Sequence, residues 1–373
     1  MTALDTLRRD LDVLEHRGRG RRLSPRTGID FASNDYLALA GSERLRRAVC
    51  DAAARQVPVG SGGSRLLRGN APEHTLLEDE AARFFGTGSA VFVGSGYCAN
   101  TLLFSTLPQR GDLIVYDDLV HASAREGIRL ARAEVAGFPH NDVAAAADAI
   151  ARWRRSGGRG TPWIAVESLY SMDGDRAPLA DFAELARQAD AMLLIDEAHA
   201  TGVFGTDGRG LAEALDGADN VISLKTCGKA LGCEGALLVG PALVREFIVN
   251  RGRQFIFSTA PSPLMAAVVR ESLRALQDEP ERRERLHALV AHAARGLARL
   301  GAEATDTPIQ RVILGDDRRT MAAATALQDR GFDVRGIRPP TVPEGTSRLR
   351  ISLTLNVTEG DVSALIAALE DVL

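Results

Sequence analysis

Lysine is almost missing from this chain. Lysine and arginine together number 45, yet only Lys225 and Lys229 are lysines, and they sit four residues apart. Arginine replaces lysine wherever a permanent cation suffices, but its guanidinium does not deprotonate and cannot serve as an imine-forming amine. Cysteine is scarce as well. Cys50, Cys98, Cys227 and Cys233 are too scattered for a disulfide framework and form no Cys-x-x-Cys pair, so reduced thiols are expected. No hydrophobic run approaches the roughly 18 residues that a membrane span needs. No charge excess points to nucleic acid either, since 45 basic residues face 49 acidic ones for a net charge of -4. Arginines crowd Arg17 to Arg26, but acidic residues precede them and no apolar stretch follows, so no secretion signal is read there and a cytoplasmic location is expected.

With 373 residues, 45% of them hydrophobic, the chain exceeds what one core usually organises, so a large domain and a smaller one are expected. Apolar, strand-like runs recur at Ala90–Val93, Leu113–Tyr116, Trp163–Val166, Met192–Ile195, Val221–Leu224 and Ala236–Val239. Helix-compatible segments, among them Ala144–Trp153 and Leu179–Ala189, separate most of them. This spacing predicts an α/β fold with a mainly parallel central sheet covered by helices. Beyond Pro263, long alanine- and arginine-rich helices and short strands near Val312–Leu314, Phe332–Val334 and Leu349–Leu353 read as a smaller α+β domain. The expected organisation is residues 1–40 packing with the small domain, 41–258 as the large domain and 259–373 as the small one.

Ligands in such sheets bind at the carboxyl ends of strands. Glycines bracket Lys229 in Ser223-Leu-Lys-Thr-Cys-Gly-Lys-Ala-Leu-Gly232, and a partly desolvated lysine there favours the neutral amine that attacks an aldehyde. Asp196-Glu-Ala-His199 puts a carboxylate at a strand end, suited to keeping a pyridine nitrogen protonated, although Asp196 could equally cap a helix and His199 could be a core histidine. The same four letters occur in helicase-type NTPases, but those need a phosphate loop. The only Gly-Lys pair is Gly228-Lys229, followed by Ala230, with Ser223 where the first glycine should stand, so a motor is excluded. Gly94-Ser-Gly-Tyr-Cys-Ala-Asn100 joins a strand to a helix, a turn whose N–H groups suit a phosphate. His121 could stack on an aromatic ring or cap a helix; the sequence leaves both open.

Together these segments resemble the α-oxoamine synthase family of fold-type I pyridoxal-phosphate enzymes. The likeness covers nearly the whole chain, through Asn34-Asp-Tyr-Leu37, Gly60-Ser-Gly-Gly-Ser-Arg65, Ser95-Gly-Tyr97, His121-Ala-Ser123, Ser171-Met-Asp-Gly-Asp175, Asp196-Glu-Ala-His-Ala-Thr-Gly202, Thr226-Cys-Gly-Lys229 and Arg338-Pro-Pro-Thr-Val-Pro343. The resemblance implies pyridoxal 5'-phosphate as cofactor, with Lys229, Asp196 and His121 as catalytic residues. It implies that Lys229 carries the imine, Asp196 pairs with the pyridine nitrogen and His121 stacks on the ring. His199 and Ser171 would line the phenolic edge, while Thr226, Gly96 and Tyr97 would hold the phosphate. Asn34 and Arg350 would bind the amino-acid carboxylate, Thr341 the substrate, and Arg21, or its neighbour Arg22, the acyl donor. No metal is implied. The implied reaction is the biotin-pathway condensation of L-alanine with a pimeloyl thioester, in a homodimer with no nucleic-acid or membrane partner. The rivals are a sister enzyme using glycine or serine, such as one joining glycine to acetyl-CoA, and a non-catalytic partner subunit.

Overall fold

The computed structural model describes residues 2–373 except Arg22 and Ser24. It contains two compact units. The larger holds Asn34–Leu286 with Thr354–Asn356; the smaller holds the chain up to Ser33, His287–Leu353 and Val357–Leu373.

A seven-stranded sheet forms the centre of the larger unit. Its strands are β1 Ser89–Val93, β2 Leu113–Asp117, β3 Glu134–Phe138, β4 Pro162–Glu167, β5 Met192–Asp196, β6 Val221–Thr226 and β7 Ala236–Gly240, in the spatial order β1-β7-β6-β5-β4-β2-β3. All neighbours are parallel except the two pairs made by β7. β4, β6 and β7 are buried along their whole length, as strands covered on both faces must be. Alternate residues feed two cores. Ile114, Ala165, Leu194 and Ile222 pack on one side, with Leu102, Leu103 and Phe104 of helix α2 and Ile128 of helix α3. Val115, Ile164, Val166 and Leu193 pack on the other, with Ile150 of α4 and Phe182 of α5. These helices are α2 Gly96–Thr106, α3 Ala122–Leu130, α4 Val143–Arg155 and α5 Leu179–Gln188, preceded by α1 Pro72–Phe85. Side-chain caps set their starts: Ser95 accepts from Cys98 N–H before α2, and Asp142 from Ala145 N–H before α4.

The six apolar runs read from the sequence are six of these strands. The seventh, β3, is an edge strand whose Glu134, Val135 and Gly137 are exposed, so it has no apolar run to betray it. The changeover expected near Ser258 also moves: the chain leaves the larger unit between Leu286 and His287. Helix α6, Pro263–Asp278, stays in the larger unit, where Arg270 and Arg274 pair with Glu80 of α1 at 2.9 and 2.8 Å.

In the smaller unit β8 Ile309–Gly315, β9 Arg335–Ile337 and β10 Ser347–Ser352 form an antiparallel sheet ordered β9-β10-β8. The N-terminal segment belongs here as far as Ser33: Ile29–Asp30 pairs in parallel with Phe332–Asp333. Residues from Asn34 onward, which the expected segment 1–40 included, lie in the larger unit. Among the described residues no helix is long and apolar enough to cross a membrane, and no cluster of three or more His, Cys, Asp or Glu side chains could hold a metal ion.

Candidate active site

The carboxyl ends of the strands gather the chemistry in the larger unit. β4 ends on Glu167 and β5 on Asp196, and the two are register partners in adjacent parallel strands. β6 ends on Thr226, after which the chain turns through Lys229. The turn is tied down by Cys227 N–H on the Gly235 carbonyl at 2.9 Å and Gly232 N–H on the Lys229 carbonyl at 2.9 Å. Gly232 has a φ of +64°, and a Cβ there would strike the backbone of Leu39 and Ala40, so only glycine closes this loop.

Lys229 Nζ lies 2.6 Å from Nε2 of His199. His199 Nδ1 lies 2.6 Å from the hydroxyl of Tyr36, which donates to Asn34 Oδ1 at 3.2 Å. A hydroxyl that gives its hydrogen to Asn34 accepts from Nδ1–H, leaving Nε2 of His199 as an acceptor for the lysine amine. Asn34 is therefore linked to Lys229 through Tyr36 and His199.

Lys225 is placed quite differently. It is fully buried, and its three donors go to Glu197 at 2.8 Å, Asp216 at 2.8 Å and the Arg209 carbonyl at 3.0 Å. Burial alone would lower its pKa, but the two carboxylates outweigh burial and push it up. An amine so held is a cation, not a nucleophile.

Asp196 accepts from Ala198 N–H at 2.9 Å and from the Asn100 amide at 2.8 Å. The Glu167 carboxyl beside it is 3% exposed and its Oε1 has no hydrogen-bond partner; burial, reinforced by the Asp196 charge, pushes its pKa well above the carboxylate range. Buried Ser171 lies in the loop after β4, its N–H directed at Glu167. His121 caps α3, with Nδ1 2.8 Å from Ser123 Oγ. Burial lowers its pKa against the opposing pull of Asp196, and Lys229 adds to the lowering. At the start of α2, Ser95 Oγ accepts from the Cys98 N–H, and the first-turn N–H groups of Gly96 and Tyr97 have no intrahelical acceptor. Thr226 is next to them: a Cβ on Gly96 would sit 3.5 Å from its Oγ1.

Arg21, Thr341 and Arg350 belong to the smaller unit. Arg338 there donates to the Gly20 carbonyl at 3.0 Å, while Thr341 N–H closes a turn on the Arg338 carbonyl at 3.1 Å, so Arg21 and Thr341 sit on neighbouring segments. Both are exposed. Arg350 is 6% exposed in β10, with Nη1 2.6 Å from Ser352 Oγ. Arg22, the other candidate for the acyl donor, lies outside the described residues.

The sequence pattern of the family "Aminotransferase class I and II" matches residues 26–369. The chain belongs to the aminotransferase class I and II family. The 8-amino-7-oxononanoate synthase of Anaeromyxobacter dehalogenans (strain 2CP-1 / ATCC BAA-258) is 42% identical over 387 residues, covering 100% of this chain and 96% of that one. Among solved structures, SPT with PLP superposes with a TM-score of 0.89 at 28% identity, covering 99% of this chain and 96% of that one. The 8-amino-7-oxononanoate synthase (bioF) from Francisella tularensis gives 0.77 at 25% identity, covering 92% and 97%.

For this member of the aminotransferase class I and II family, sequence reasoning gave no role to Tyr36, Asn100, Ser123 or Glu167, although it noted Glu167 at a strand end. Three of them lay inside segments already quoted, as the third residue of Asn34-Asp-Tyr, the last of the glycine turn and the last of His121-Ala-Ser123. Their side chains are ordinary hydrogen-bonding groups, and only the fold brings them to Lys229, Asp196 and His121. Glu167 was visible as a carboxylate ending an apolar run, with nothing to mark its pKa as raised by burial.

Proposed function

We propose that this chain condenses L-alanine with a pimeloyl thioester, borne by coenzyme A or an acyl carrier protein, giving 8-amino-7-oxononanoate, carbon dioxide and the free thiol carrier. Pyridoxal 5'-phosphate is its cofactor. The observation that carries the reading is the contrast between the two lysines: Lys229 Nζ is set 2.6 Å from an imidazole at the strand ends, while Lys225 is locked in a buried ion cluster. The 42% identity to an 8-amino-7-oxononanoate synthase over the full chain supports the choice of substrates.

The side chains present fit that cofactor, since an amine, a carboxylate and a helix start with N–H groups to spare match an aldehyde, a pyridine nitrogen and a phosphate. When bound, the group supplies an aldehyde that captures amines and a protonated ring that draws electrons from the adjoining carbon. Lys229 would hold the aldehyde and, once alanine's amine takes its place, Nζ would be the base that removes the α-proton. His199 Nε2, as acceptor beside Nζ, keeps the lysine oriented and can share its proton. Asp196 would hold a proton on the pyridine nitrogen, His121 would lie against the ring and Ser171 would border its phenolic edge. Thr226, Gly96 and Tyr97 would bind the phosphate. Asn34 and Arg350 would take the alanine carboxylate, with Arg21 and Thr341 on the acyl donor. The enzyme works as a homodimer in the cytoplasm.

Borohydride reduction of the purified protein followed by peptide mapping should place a pyridoxyl adduct on Lys229. An adduct on Lys225, or none, would sink the assignment. A second reading, serine with a longer acyl thioester, draws on the closer superposition with SPT. Thiol release measured with alanine, glycine and serine against a series of acyl thioesters separates the two: alanine with the pimeloyl thioester should be fastest, and preference for serine would favour the second.

A further inference from the structure

Asn100 and Ser123 have no role in the reading above. Asn100 lies in α2, 3% exposed, and its side-chain nitrogen donates to Asp196 Oδ2 at 2.8 Å and to Ser123 Oγ at 2.9 Å. A carboxylate only accepts, so the amide must turn its NH2 and not its oxygen toward Asp196. Ser123 Oγ, having accepted from Asn100, has one hydrogen left, and His121 Nδ1 lies 2.8 Å away. The Ser123 backbone N–H points at the same nitrogen from 3.2 Å. Nδ1 therefore meets two donors.

We infer that Asn100 and Ser123 are positioning residues that lock His121 as a neutral imidazole with its proton on Nε2, and that they couple it to Asp196 through one shared amide. The inference deepens the reading in which His121 borders the reacting groups. Nε2, the ring nitrogen with no partner among the described residues, becomes a permanent donor for an acceptor oxygen of the substrate. No rearrangement of protons is needed when that oxygen arrives, which is the benefit of a preset dipole. The charged groups around His121 agree with a neutral ring. Burial and Lys229 lower its pKa more than Asp196 raises it, and its own backbone N–H is taken by the Glu167 carboxyl. Protonating Nδ1 would set its hydrogen against the Ser123 backbone N–H, which only donates, and would make the serine hydroxyl turn round and accept from it alongside Asn100.

The test is long-range proton–nitrogen correlation on holoenzyme labelled with 15N-histidine, with His121→Asn identifying the resonance among the seven histidines. Wild type should show the Nε2–H tautomer at neutral pH. Asn100→Ala removes the donor that orients the serine hydroxyl toward Nδ1 and lets it rotate to accept, so His121 should titrate about half to one pH unit higher, the equivalent of one ordinary hydrogen bond. Ser123→Ala leaves only the longer backbone contact, and both tautomers should appear. A merely structural role would lower the melting temperature without moving either signal. A wild-type proton on Nδ1 overturns the inference, as does an unmoved titration in Asn100→Ala. Should that variant not fold, a Ser123→Ala protein still wholly in the Nε2–H form overturns it equally. Failure of the functional reading would look different, as a missing adduct on Lys229 with the tautomer unchanged.

Discussion

Two lysines four residues apart sit in opposite surroundings: Lys225 is closed in a buried ion cluster, while Lys229 faces an imidazole. Lys225 faces two carboxylates that are themselves almost fully buried, Glu197 and Asp216, the latter also receiving the Ser223 hydroxyl at 2.6 Å. Gly210, with φ +111°, packs so closely that a Cβ there would collide with Glu197 Oε2. Removing one partner of such a cluster strands the others. Lys225→Met should therefore cost about 3–5 kcal/mol in urea unfolding, and adding Glu197→Gln with Asp216→Asn should restore much of it. Lys229 Nζ contacts an imidazole, not a cluster of two buried carboxylates, so Lys229→Met should unfold nearer the wild-type midpoint, and an equal loss for the two single variants would contradict this division. The scarcity of lysine draws attention to the segment that carries both. It could not reveal that Lys225 ends in a closed ion cluster, because Asp216 approaches only through the loop between β5 and β6.

Elements were easiest to read where they are buried on both faces. The strand β3 was invisible because an edge strand needs no apolar run, yet the turn after it supplies His140, which braces two site loops. Its Nδ1 is 3.0 Å from Asp117 at the end of β2, four residues before His121, and its Nε2 is 2.7 Å from Asp175, four residues after Ser171. Burial would lower the His140 pKa, but the hydrogen bonds to both aspartates win and push it up to about 10, from an ordinary 6.5. A folded-state pKa raised above the unfolded value means the protonated ring stabilises the fold in full below about pH 6.5, with that contribution lost as pH climbs through about 10. Urea unfolding of the wild type should weaken across this window, whereas His140→Gln should be flatter there and weaker than wild type near neutrality. A variant that kept the wild-type slope would place the titration elsewhere. The unit boundary was misplaced for a related reason: the alanine- and arginine-rich pattern of α6 fixes a helix and its apolar face, but Arg270, Arg274 and their partner Glu80 are matched only once the chain is folded.

Whole-molecule assembly follows from surfaces the chain leaves uncovered. The N-terminal helix Ala3–His16 is capped by Thr2 and Asp5 in a reciprocal pair, so it forms, yet it buries none of its residues. Leu4, Leu7, Leu11 and Leu14 recur at helical spacing and are 70%, 58%, 62% and 41% exposed. In the larger unit Phe257 is 72% exposed. One helix stripe offers roughly a few hundred Å² of apolar surface, whereas a stable interface buries about 1,200–2,000 Å². The stripe alone therefore cannot hold two copies together, and a homodimer would need further apolar surface. Sedimentation at micromolar concentration should give twice the mass of the chain. Leu7→Glu with Leu11→Glu should weaken self-association in a graded way, without loss of helix content by circular dichroism, and combination with Phe257→Glu should weaken it further. A monomer in the wild type would refute the homodimer, and a double variant as tightly associated as wild type would take the N-terminal helix out of the interface.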